Sequence, residues 1–134
     1  MLTENQIIEY VSQYFKNNGY KILDIRNTRE TGIDLIGIHP KYGKCFVEAK
    51  GGTSSKKETN RYGKPFTLSQ IKTHIGVALL KAFQIKQENI NSNVFIALPY
   101  ERNHIEICDS IKKCLAKVNI SIIFVKPEGS IKII

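Results

Sequence analysis

Apolar residues at Ile7, Ile8, Val11, Tyr14 and Phe15 recur at helical spacing behind Thr3-Glu4-Asn5-Gln6. That tetrapeptide is a capping box, with Leu2 and Ile7 at the hydrophobic-staple positions, and it predicts a first helix running to Asn17-Asn18-Gly19. The pattern then changes to short β-rich runs. Residues 20–26, 33–39 and 44–50 predict three strands, the last two joined by a turn at Pro40-Lys41-Tyr42-Gly43. Residues 51–65, rich in Gly, Ser, Thr, Asn and Lys, predict a long mobile loop. A second capping box, Thr67 to Gln70 with Phe66 and Ile71 as staple, opens a helix that continues through Ile75, Ala78, Leu79, Ala82 and Phe83. Residues 93–99 predict a strand. The spacing of Ile105, Cys108, Ile111, Leu115 and Val118 predicts one more helix, and residues 120–125 a strand that Pro127-Glu128-Gly129 folds back against residues 131–134. The order αβββαβαβ, with a short final strand and no internal repeat, predicts a single α/β domain over residues 1–134, a mixed sheet flanked by helices.

Polar residues that interrupt this pattern mark the candidate chemistry. Asp34 falls within the apolar run Ile33-Asp34-Leu35-Ile36, and Glu48-Ala49-Lys50 closes the next strand. Strand side chains alternate between faces, so Glu48 and Lys50 project from one side while Val47 and Ala49 project from the other. Two carboxylates and an ammonium can then meet at one point. Hard carboxylate oxygens suit Mg²⁺ or Mn²⁺, and a lysine beside them can orient water and steady charge developing on a phosphate, which is the chemistry of a nuclease site. An isolated Glu-x-Lys would read first as an exposed ion pair of little energetic worth. Asp34 on the neighbouring strand reverses that preference, because acidic residues are disfavoured inside apolar strands.

Charge sharpens the picture. The chain carries 20 Lys and Arg against 12 Asp and Glu, a formal charge of +8, which favours a polyanionic partner. Between Lys41 and Lys72 eight cations face only Glu48 and Glu58, so a net +6 surrounds the candidate site. Three cysteines without a C-x-x-C pair argue for reduced thiols and against structural zinc. Cys45 and Cys108 are expected to fill core. Neither a membrane-spanning apolar run nor a signal-peptide pattern at Met1 is apparent, so a soluble, cytoplasmic protein is expected.

The segment GIDLIGIHPKYGKCFVEAKGG, the basic stretch behind it and the helix order together resemble the PD-(D/E)XK superfamily of restriction endonuclease-like nucleases. That group includes Holliday-junction resolvases and nuclease domains of bacterial polymorphic toxins. The resemblance covers nearly the whole chain. It implies an αβββαβ core, here with an added C-terminal helix and strand. It further implies Asp34 and Glu48 as metal ligands, Lys50 as the catalytic lysine, and Mg²⁺ or Mn²⁺ as cofactor. Ile33 stands where the superfamily's name has Pro, a frequent departure.

Many superfamily members add a Glu from helix one. Helical phase puts Glu4 on the inward face with Ile8, Val11 and Phe15 and sends Glu9 the other way, so Glu4 is the candidate third ligand; a helix-favouring first-turn charge explains it equally well. In some branches a Gln opening the next helix contacts substrate, followed four residues later by Tyr. Gln70 fills that position, but residue 74 is His, and capping alone accounts for Gln70. His39 and His74 read as hydrogen-bonding histidines before acid–base groups. Lys56, Lys57, Arg61, Lys64 and Lys72 are expected, with Gln70, to clamp a sugar-phosphate backbone. The resulting expectation is a metal-dependent endonuclease acting on DNA in preference to RNA. The alternatives are a non-catalytic nucleic-acid-binding module of the same fold and an RNA-cleaving toxin domain. A homodimer, or an immunity or accessory protein, stands as a further partner expectation.

Overall fold

The computed structural model describes residues 1–25, 32–54 and 64–134. Both capping boxes form. Thr3 caps α1 (Glu4–Asn17), and its backbone N–H donates to Gln6 Oε1 at 2.8 Å. Thr67 caps α2 (Leu68–Glu88) in the same way, and α2 extends five residues past Phe83. Between them lie β1 (Lys21–Ile25), β2 (Leu35–His39) and β3 (Gly43–Ala49). Then follow β4 (Asn93–Pro99), α3 (Arg102–Asp109), α4 (Lys112–Lys117), β5 (Ile120–Val125) and β6 (Ile131–Ile133). The six strands form one mixed sheet in chain order. β1–β2–β3 is an antiparallel meander, β3–β4–β5 is parallel, and β6 returns antiparallel to β5. The α/β architecture and the αβββαβ order are therefore present.

Helices cover the two faces of the sheet unequally. On one face α1 buries Ile7, Ile8, Val11 and Phe15 against Leu35, Val47, Ala49, Ala97 and Ile123. On the other, Ile71, Ile75, Ala78, Ala82 and Ile85 of α2 pack with Cys108 and Leu115 against Phe46, Val94, Ile96, Leu98, Ile122 and Phe124. Strand alternation thus sends Val47 and Ala49 toward α1, and Phe46 and Glu48 toward α2. Cys45 and Cys108 are buried, which pushes their thiols up to about 11 and about 12.

Four expectations change. The predicted single helix over 105–118 is two helices. Ser110 donates its hydroxyl to Ile107 O, a local bond that competes with helix continuation, and α4 starts at Lys112, behind Ile111, which gives no side-chain cap. Strand β2 begins at Leu35, so Asp34 stands just before it, and β3 ends at Ala49, so Lys50 stands just after it. Residues 51–53, assigned to a mobile loop, are buried. The remainder of that stretch, residues 55–63 with Lys56, Lys57 and Arg61, lies outside the described residues. Among the described residues no helix is long and apolar enough to cross a membrane.

Candidate active site

Asp34, Glu48 and Lys50 meet where the β2–β3 ladder ends. The register pairs Leu35 with Val47, so Asp34 and Glu48 stand opposite each other one step beyond. There the Asp34 carboxylate replaces the backbone partner: its Oδ2 accepts the Ala49 N–H at 2.8 Å. Asp34 is 5% exposed and Glu48 2%, both far below what ionisable side chains ordinarily show. Lys50 N–H donates to Ala97 O at 3.0 Å, which continues the parallel ladder and holds Lys50 beside Glu48. Its Nζ lies 4.0 Å from Glu48 Oε1. The Glu-x-Lys pair therefore shares one side, as alternation requires.

A lysine that the strand motifs do not reveal completes the group. Lys81 of α2 brings Nζ to 3.0 Å from Glu48 Oε2 and donates a hydrogen bond to Gly32 O. The two meet as an ion pair, and Oε2 has no directed hydrogen bond among the described residues. Burial, reinforced by the Asp34 charge, pushes the Glu48 carboxyl up to about 7, against the opposing pull of Lys81 and Lys50. In sequence, Lys81 is one lysine in a long amphipathic helix. A readable trace exists nonetheless, since Gln70, His74 and Lys81 follow one helical stripe flanking the buried row of Ile71, Ala78 and Ala82.

Glu4 reaches the same end of the sheet from the opposite face. The chain after Lys50 runs against the start of α1: Gly52 N–H donates to Leu2 O at 2.8 Å. A Cβ on Gly51 would sit 2.4 Å from Glu4 N. Burial, then the Asp34 charge, raises the Glu4 carboxyl to about 6, with Lys50 and Lys81 opposing. Glu9 is exposed, as helical phase requires. Among the described residues no three His, Cys, Asp or Glu side chains gather into a metal-holding group, so Glu4, Asp34 and Glu48 do not form a closed cage. Two hard carboxylates, one with a buried oxygen that takes an ion pair but no directed hydrogen bond, still suit Mg²⁺, which is commonly held by one or two carboxylates and completed by water and substrate phosphate.

The other candidates separate by role. Gln70 spends its carbonyl oxygen on the cap of α2. His74 stacks edge-on against Phe66 at 4.5 Å, and burial, then Lys50 and His104, lowers its pKa. His39 Nδ1 accepts the Lys41 and Tyr42 N–H groups and fixes the β2–β3 turn. Lys64 and Lys72 are exposed. Buried His104 lies 2.5 Å from Glu101, whose carboxylate caps α3.

No protein-family model matches the chain, and no curated protein matches it. Two solved structures share its fold. One is an XisH family protein from Nostoc punctiforme, 15% identical, with a TM-score of 0.58 over 94% of this chain and 95% of that one. The other is an fdxN element excision controlling factor protein from Anabaena variabilis, 17% identical, with a TM-score of 0.58 over 92% of this chain and 93% of that one. At these identities the likeness establishes a common fold extending over essentially the full length of each chain.

Proposed function

We propose that this chain is a metal-dependent nuclease of the PD-(D/E)XK type that hydrolyses phosphodiester bonds, as an endonuclease and on DNA in preference to RNA. The observation that carries the reading is Glu48: a carboxylate 2% exposed, opposite Asp34 and flanked by two lysines. An ion pair kept only for stability has little reason to be buried, since desolvation offsets its attraction. Likeness of fold to a protein described as an fdxN element excision controlling factor is in keeping with a nucleic-acid substrate.

In this mechanism Asp34 and Glu48 hold Mg²⁺ or Mn²⁺ at the end of the β2–β3 ladder. Such an ion, when bound, would supply Lewis-acid polarisation of the scissile phosphate and activation of water. Lys50 orients the attacking water and offsets charge developing on the phosphate. The Ala49 N–H holds the Asp34 carboxylate by one oxygen and leaves the other for the ion. Glu4 adds negative potential from the far side of the sheet without completing a cage. Lys64 and Lys72, with Lys56, Lys57 and Arg61, attract the sugar-phosphate backbone without reading bases.

The test is cleavage of plasmid, single-stranded DNA, branched DNA and tRNA by the wild type and Lys50→Ala, with Mg²⁺, Mn²⁺ or EDTA. Metal-dependent cutting that falls by at least about a hundredfold in Lys50→Ala supports the reading, within the range of one electrostatic catalytic group. Salt-sensitive binding without cleavage would instead favour a nucleic-acid-binding module.

A further inference from the structure

We infer that Lys81 is the resident counter-ion of the Asp34–Glu48 pocket, a built-in cation that a divalent ion entering the site must displace from Glu48. The displacement half rests on the nuclease reading above; the counter-ion half does not. Three observations carry it. The Lys81 ammonium lies 3.0 Å from Glu48 Oε2, closer than Lys50 lies to Oε1 at 4.0 Å. Oε2 is also buried and has no directed hydrogen bond among the described residues, so exchanging its ammonium for a metal ion breaks no hydrogen bond. Finally, Lys81 hydrogen-bonds Gly32 O, two residues before Asp34, and so ties α2 to both acid-bearing strand ends.

Two cations cannot share that oxygen comfortably. A divalent ion would bind at roughly 2.1 Å, inside the ammonium contact, and the two charges would repel at short range. Lys81 can yield, because its side chain is 32% exposed and its flexible stem can carry the ammonium into water. Lys50, whose ammonium is 4.0 Å away and on the other oxygen, Oε1, leaves Oε2 clear and need not move. The two lysines then divide their work: Lys50 serves the ion-loaded site and Lys81 the ion-free one.

The experiment combines calorimetric titration of the full chain with Mn²⁺ and Mg²⁺ at pH 8 and thermal melts without metal. The proteins are wild type, Lys81→Met, Lys81→Arg, Glu48→Gln and the double variant Lys81→Met/Glu48→Gln. Lys81→Met is expected to bind Mn²⁺ on the order of tenfold tighter, the effect of removing one close unit charge. Without metal it should melt lower than wild type, and that loss should vanish in the Glu48→Gln background. Lys81→Arg should behave as wild type in the melts. Unchanged or weaker Mn²⁺ binding by Lys81→Met, where the wild type binds and cleaves, overturns the displacement alone. Absence of divalent-ion binding to every variant overturns the displacement and the nuclease reading together. A Lys81→Met melt equal to wild type overturns the counter-ion role.

Discussion

Glu48 is where stability and chemistry oppose each other. Its folded carboxyl holds its proton up to about pH 7, whereas the unfolded one loses it near its ordinary value of 4.5. Between those values the folded state binds more protons, so this residue's contribution to stability declines as pH rises from about 4.5 to 7 and stays low above. The raised Glu4 carboxyl acts in the same direction up to about 6. Glu48→Gln removes the ionisation, so it should be more stable than wild type at pH 8 without metal. The gain is on the order of 2–3 kcal/mol, shrinking toward pH 5. The same substitution should abolish cleavage. Denaturant titrations at the two pH values decide this, and an equal or smaller stability at pH 8 would sink the argument. The three strand-end residues were legible because acids and a lysine interrupting apolar strands are unusual in sequence. Lys81 left only the trace of a helical stripe shared with Gln70 and His74, because spacing alone does not tell a helix lysine that faces a carboxylate 33 positions earlier from one that faces water.

At the scale of elements, the decisive contact is the one between the chain after β3 and the start of α1. The Gly51-Gly52 pair follows Lys50 directly, and a Cβ at Gly51 would fall 2.4 Å from Glu4 N and 2.8 Å from Thr3 C. These are backbone atoms and cannot swing away, so Gly51→Ala must push the α1 N-terminus off the sheet end. The expected cost is about 1–3 kcal/mol, typical of overpacking, or roughly 5–10 °C in melting temperature. A scanning melt within a degree of wild type would contradict it. Both capping boxes were readable because their four residues are contiguous and make a reciprocal pair of bonds. Local pattern misled where local bonds competed with it. The apolar spacing from Ile105 to Val118 is continuous, yet the Ser110 hydroxyl takes Ile107 O and the helix restarts. Asp34 likewise leaves the strand proper because its side chain, not its backbone, meets the Ala49 N–H.

At the scale of the whole molecule, the sheet topology concentrates the chemistry at one end. Antiparallel β2 delivers its first residues, and parallel β3 and β4 their last, to the same edge, where α1 and α2 also present Glu4 and Lys81. The formal charge of +8 acts over the same scale. If the chain grips four phosphates, DNA affinity should fall on the order of a hundredfold between 50 and 200 mM salt. Fluorescence anisotropy in Ca²⁺ or EDTA, which separates binding from cleavage, measures this; an affinity indifferent to salt would remove the basic surface from the argument. Periodicity, capping boxes, strand alternation and charge excess are properties of neighbouring residues, and from them the sequence by itself determined the order of the strands and of the first two helices, the α/β class and the sidedness of Glu48 and Lys50. Tertiary structure alone decided that Glu4 approaches from the opposite face, that Glu48 is sealed from water and that Lys81 is its ion partner. These depend on how segments dozens of residues apart are brought together around the sheet, and burial and Coulomb attraction act through space, without regard to distance along the chain.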